Sequence, residues 1–152
     1  AHLNQLLHSL EEVEPQAETD IAATFHQLAE MIKRRGLIIV LSDLLDDERE
    51  VLRALRHFRH RRHEVIIFHI LDPAERRFPY ERLSDFVDLE TGRRLQVDPR
   101  FVRREYLRQI EAFIDTYRQG AAESNIEYVL AQTDTPYDRL LLAYLARRSK
   151  VR

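Results

Sequence analysis

The chain has 152 residues, 44% of them hydrophobic and 33% charged, with 24 basic against 26 acidic side chains and a formal net charge of −2. That length and apolar content suit one domain with a core of its own, and the near balance of charge argues against nucleic acid or an anionic membrane as a partner held by global electrostatics. With no cysteine there is neither a disulfide nor a thiolate metal site, and no apolar run approaches the roughly 18–20 residues of a membrane span. Without a signal-peptide pattern, the chain reads as cytoplasmic. It opens on Ala1-His2-Leu3 with no initiator Met, which suggests a piece of something longer.

Leu3, Leu6, Leu7, Leu10 and Val13 recur at helical spacing, so an amphipathic helix is predicted there, ended by Pro15. Thr19-Asp20 can cap the next helix, whose apolar face carries Ile21, Phe25, Leu28 and Ile32. Lys33-Arg34-Arg35-Gly36 is expected to close it with cations and a C-terminal glycine. Leu37–Leu41 is a short, wholly apolar run and reads as a strand buried on both faces. Asp46-Asp47-Glu48 then opens a helix lined by Val51, Leu55 and Phe58.

A second buried strand is predicted over Glu64–Leu71 and a third over Ile126–Ala131. A long helix with Tyr106, Ile110, Phe113, Ile114 and Tyr117 precedes the third, and a last helix carries Leu140, Leu141, Tyr144 and Leu145. Buried strands alternating with amphipathic helices predict an α/β fold with three layers and a mostly parallel sheet. One stretch breaks the alternation. Val87, Leu89, Leu95 and Val97 alternate around Thr91-Gly92, which predicts a β-hairpin inserted at about residues 85–98.

The charges separate by end of the domain. Basic clusters (Lys33/Arg34/Arg35, Arg59/Arg61/Arg62, Arg147/Arg148/Lys150) fall at predicted helix C-termini. Acids (Glu18/Asp20, Asp43/Asp46/Asp47, Asp72/Glu75, Asp134/Asp138) fall where strands end and helices begin. Helix dipoles favour this arrangement by themselves. It also makes the carboxyl edge of the sheet, where open α/β folds bind ligands, rich in hard oxygen donors suited to Mg²⁺.

Thr19, at a helix start, and Asp43, at the end of the first strand, are the candidate metal ligands; the plain alternative for each is a helix cap. His57, His60 and His63 lack the spacing of a zinc site, and their run of arginines lacks the aromatic residues of a nucleic-acid surface. His69, at the end of the second strand, reads as structural rather than as a general base. The chain contains neither Gly-x-Ser-x-Gly nor a glycine-rich phosphate loop. A receiver-like reading of Asp43 is disfavoured by the hairpin and by the lack of a lysine at the expected edge.

Three stretches resemble a known family. Thr19-Asp20-Ile21 leading through Arg34-Arg35-Gly36 to Leu37-Ile38-Ile39-Val40-Leu41-Ser42-Asp43-Leu44-Leu45-Asp46-Asp47 is similar to the bacterial domain-of-unknown-function family 58. So are His63 to Pro73 and Asp88-Leu89-Glu90-Thr91-Gly92 with Val97-Asp98-Pro99, in collinear order from Leu3 to about Arg148. The resemblance implies a von Willebrand factor A-like fold, of which residues 1–152 would be the C-terminal part. It also implies a task in the assembly or maturation of other proteins beside a MoxR-type AAA+ ATPase. In that fold a metal-ion-dependent adhesion site takes an Asp-x-Ser-x-Ser loop, a Thr, which matches Thr19, and an Asp, which matches Asp43. No Asp-x-Ser-x-Ser occurs in this chain; its strand is expected before Ala1, so Mg²⁺ binding by this chain is expected to be weak.

These readings lead to a non-catalytic protein-interaction module. The rival is a metal-dependent hydrolase with Asp43, Asp72 and Asp134 as ligands. An unguarded strand Leu37–Leu41 further suggests a homodimer paired antiparallel along that strand, with the helix Leu3–Val13 laid across the partner.

Overall fold

A computed structural model of the chain describes residues 2–13, 20–88 and 91–150. The elements follow in the order α1 (His2–Glu11), α2 (Ile21–Met31), β1 (Leu37–Ser42), α3 (Glu48–His60), β2 (Glu64–Leu71) and α4 (Pro73–Arg77). Then come β3 (Ser84–Val87), β4 (Arg94–Val97), α5 (Pro99–Glu123), β5 (Glu127–Gln132) and α6 (Tyr137–Lys150). Among the described residues no helix is long and apolar enough to cross a membrane.

The main sheet has the order β1-β2-β5, and both pairings are parallel, as the buried runs predict. Val40 lies beside Ile67, and Ile67 beside Tyr128. On one face Val40, Val65 and Ile67 meet Ala29, Val51, Leu55, Phe58, Tyr117 and Ala121 of α2, α3 and α5. On the other, Ile66 and Phe68 meet Tyr144, with Val129 and Leu140 packed beside them, so α6 forms the third layer.

Local chemistry sets the helix ends. The Asp47 carboxylate accepts from the N–H groups of Arg49 and Glu50, both at 3.0 Å, and starts α3. Its buried side chains Val51, Leu52, Ala54, Leu55 and Phe58 make one helical stripe. The close of α2 differs from expectation. Ile32, not Gly36, is the C-cap, and its extended backbone (ψ 97°) turns the chain toward β1, so Lys33–Gly36 lie beyond the helix. Gly92 is the only described glycine with positive φ (68°), in the turn of the hairpin. There the Asp88 carboxylate accepts from both the N–H and the hydroxyl of Thr91.

The hairpin β3–β4 is antiparallel and separate from the main sheet. Leu89 lies outside the described residues.

One expectation about β1 needs correction. Ile38 and Val40 face the core, but Leu37, Ile39 and Leu41 are 47%, 53% and 67% exposed. The strand is at the end of the sheet, and α6 reaches only the β2 and β5 part of that face. The leucines of α1 (Leu3, Leu6, Leu7 and Leu10) are exposed as well.

Candidate functional site

β1 delivers the chain to the carboxyl edge at Ser42, and Asp43 follows it, exposed. The next residue, Leu44, is fully buried and has φ 59°, an uncommon conformation for a side chain bearing a Cβ. A ring of hydrogen bonds holds it there. The Leu44 N–H donates to Ser42 Oγ at 3.0 Å, and its carbonyl accepts from the Tyr117 hydroxyl at 3.1 Å and the Asp46 N–H at 2.8 Å.

The preceding carbonyl is also gripped. His69 Nε2 lies 3.0 Å from Asp43 O, and His69 Nδ1 lies 2.8 Å from the Tyr128 hydroxyl. A carbonyl only accepts, so Nε2 carries the proton. In the neutral ring Nδ1 then accepts from Tyr128. His69 and Tyr117 thus clamp two consecutive carbonyls from below, with edge-on ring contact between them at 5.6 Å. Burial pushes the Tyr128 hydroxyl up to about 12 and raises Tyr117 as well, so both remain protonated donors.

The clamp gives His69 the structural role expected of it. His69 is fully buried, and desolvation, the largest influence, holds its pKa below the ordinary 6.5 against the Asp43 carbonyl and charge, which raise it. The unfolded chain therefore takes up this proton before the folded chain does as pH falls. The stability contributed by neutral His69 is complete above about pH 6.5 and declines as pH drops below it. We predict this decline in denaturant midpoints measured from about pH 7.5 to about pH 5. His69→Gln should flatten it, and equal slopes for the two proteins would refute the assignment.

The Asp43 carboxylate is only loosely held. Ser42 Oγ and the Leu45 N–H each lie 3.4 Å from its Oδ1. It opens onto a cavity of about 450 Å³ lined by Ser42, Asp43, Ile70, Asp72, Glu75 and Thr133. Asp72, Glu75 and Asp134 at this edge are engaged in structure. Asp72 accepts from the Ala74 N–H at 2.7 Å and the Thr133 hydroxyl at 2.8 Å, which hold its pKa below the usual carboxylate value. Glu75 returns a bond from the Asp72 N–H at 2.6 Å, completing a capping box at α4. Asp134 stands 3.8 Å from Arg77.

Asp46 ties this loop to α2. One carboxylate oxygen accepts from the Ile21 N–H at 2.9 Å, and the other from the Asp47 N–H at 2.7 Å. The start of α2, capped by Asp20, therefore shares a corner with the loop after β1. Thr19 lies outside the described residues.

Metal ligation can be tested against this geometry. Among the described residues no three His, Asp or Glu side chains stand together as a metal site. Asp43 and Asp72, of the ligand set of the hydrolase reading, line one cavity, but with Asp134 they do not form such a group. Capping of α4 and pairing with Arg77 use two of them. A divalent cation wants about six oxygens, and at the end of β1 the loosely held Asp43 carboxylate is the one that opens onto the cavity without capping a helix.

Reading the sequence missed the Tyr117 and Tyr128 hydroxyls as parts of this site, since each looks like one more apolar residue on a helix or strand. The available signal was that a buried tyrosine needs a partner for its hydroxyl.

The family described as "Protein of unknown function DUF58" matches residues 1–113, from α1 into α5. The match takes in β1, its loop, β2 and the hairpin, and stops short of β5 and α6. No curated protein and no solved structure matches the chain. On a family match over most of its length, this chain belongs to the DUF58 family of proteins of unknown function.

Proposed function

We propose that the domain is a non-catalytic protein-interaction module whose partner docks at the carboxyl edge of the sheet, around Asp43. The observation that carries this reading is an exposed, loosely held carboxylate on a loop whose carbonyls are clamped from the core. A loop anchored in this way presents its side chain with little entropy left to lose on binding. The partner in this reading is a MoxR-type AAA+ ATPase of the cytoplasm, and the task is assembly or maturation of other proteins, as the resemblance to domain-of-unknown-function family 58 implies.

In the same reading Asp43 gives one oxygen to Mg²⁺ in a partial adhesion site, and Thr19 gives a second. The bond between Ile21 and Asp46 supports this, because Thr19 is two residues from one end of it and Asp43 three from the other. Two protein oxygens are few against the cation's six or so, so Mg²⁺ alone should bind only weakly, with Kd in about the millimolar range by calorimetry. A micromolar Kd would contradict this picture.

The test of the interaction uses a purified MoxR-type ATPase on a biosensor surface, with Mg²⁺ present. We predict binding that Asp43→Ala weakens by about 10-fold or more, the scale of one charge-assisted contact. Equal binding by the folded Asp43→Ala protein would overturn the carboxyl-edge reading.

A further inference from the structure

A second concave surface lies between α4, the hairpin and α5. Its volume is about 690 Å³, within the range of binding pockets. Phe78, Tyr80, Phe86 and Tyr106 build its floor and wall as one aromatic cluster. Phe78 lies 4.5 Å from Tyr106, 5.2 Å from Tyr80 and 5.9 Å from Phe86, ring centre to ring centre, and Tyr80 meets Phe86 edge-on at 5.1 Å.

The cluster follows from the end of α4. Phe78 is its C-cap in a left-handed conformation (φ 45°), and its carbonyl accepts from the Arg103 guanidinium of α5. That turn drives the Phe78 ring down between α5 and the hairpin, where it is 5% exposed. Around this floor the rim stays bare. Phe101 is 83% exposed and Leu95 65%. The aromatic surface therefore continues beyond the cavity, wider than a single small ion needs.

The charge on the lining has one sign. Its only charged side chains are Glu75 and Glu105. Glu105 is paired with Arg108 on the outside of α5. Glu75 accepts from the Asp72 backbone N–H and has no ion-pair partner among the described residues. Its field reaches the groove, since it helps to raise the pKa of Tyr106 after burial has done most of that work. Ring faces and a carboxylate together attract cations and repel phosphates.

We propose that this groove is a docking site for an extended segment of a partner protein that carries an arginine or lysine beside an apolar side chain. The apolar side chain fills the space over Phe86, Leu95 and Phe101, and the cation sits between the Tyr106 ring and Glu75. The groove shares Glu75 with the cavity at Asp43, but its aromatic lining and its proposed occupant do not depend on Asp43, so either reading can fail without the other.

The experiment titrates a short labelled peptide alternating arginine with leucine into the isotope-labelled full chain. It follows fluorescence anisotropy and backbone amide shifts. Saturable binding is expected, with shifts centred on Phe86, Leu95, Val102 and Tyr106. Glu75→Gln removes the charge while glutamine still serves the capping box, and it should weaken binding about 10-fold, the scale of one close cation contact. Phe101→Ser, at an exposed position, should weaken it by a similar factor of about 10, and Asp43→Ala should leave it unchanged. Equal binding by a peptide with glutamate in place of arginine would overturn the proposal. So would shifts centred elsewhere, or tetramethylammonium binding as tightly as the peptide, which would make the groove a small-cation site.

Discussion

The purified chain is expected to scatter light as a two-fold dimer joined through the outer edge of β1, and Ile39→Lys is expected to leave a folded monomer. The expectation starts from the backbone. β1 ends the sheet, and no described segment pairs with its outer side, so a row of N–H and C=O groups stays open. Natural sheets guard such edges with lysine, proline or a bulge, and Leu37–Leu41 has none of these.

Antiparallel pairing about Ile39 would set Leu37 of each copy opposite Leu41 of the other and join two three-stranded sheets into one. The half-exposed side chains of Leu37, Ile39 and Leu41 contribute roughly 1 kcal/mol each when covered, about 6 kcal/mol for two copies. Association costs about 4–15 kcal/mol, so the strip by itself is marginal. The bare leucines of α1 shift the balance if each α1 lies across the partner's strip. Light scattering at roughly 10–100 µM decides the matter. A wild-type monomer whose β1 amides resist hydrogen exchange would mean that another segment caps the edge. A dimer that survives Ile39→Lys would move the interface elsewhere.

Tyr117→Ala should be the most destabilising substitution at the candidate site. Tyr117 is fully buried, touches Phe113 and His69 edge-on, and places its hydroxyl on the Leu44 carbonyl. Removing the ring should cost about 3–5 kcal/mol, a large share of the roughly 5–15 kcal/mol that holds a domain together. Tyr117→Phe keeps the packing and deletes the hydroxyl. It should cost about 1 kcal/mol, toward the low end of the range, because the Asp46 N–H still serves that carbonyl. Urea denaturation measures both. Hydrogen exchange at Leu44–Asp47 separates the roles, since the Phe variant should speed exchange in this loop more than in β2. Unchanged loop exchange in Tyr117→Phe would remove the clamp from the account of how Asp43 is presented.

Several features of the protein were legible in its sequence. The three parallel strands announce themselves as short apolar runs between helical stripes. Asp47 before Val51, Leu55 and Phe58 marks the start of α3, and Thr91-Gly92 between alternating apolar residues marks the hairpin. These signals are short-ranged: caps, turns and the periods of side-chain direction act over a few neighbouring residues. The five-residue α4 is too short to show a period, and its Asp72–Glu75 box was read as a share of an acidic edge.

The tertiary structure decided the rest, through contacts between residues far apart in the chain. Asp43 and His69 are separated by 26 positions, His69 and Tyr128 by 59, and Leu44 and Tyr117 by 73, and no local pattern announces their hydrogen bonds. Burial has the same non-local cause. The side chains of Leu37, Ile39 and Leu41 are as apolar as those of Ile66 and Phe68. They lie bare because α6 covers β2 and β5 and leaves β1 at the opposite end of the sheet uncovered. Hydrophobicity states what a side chain would gain by being covered, whereas the packing of distant elements determines whether anything covers it.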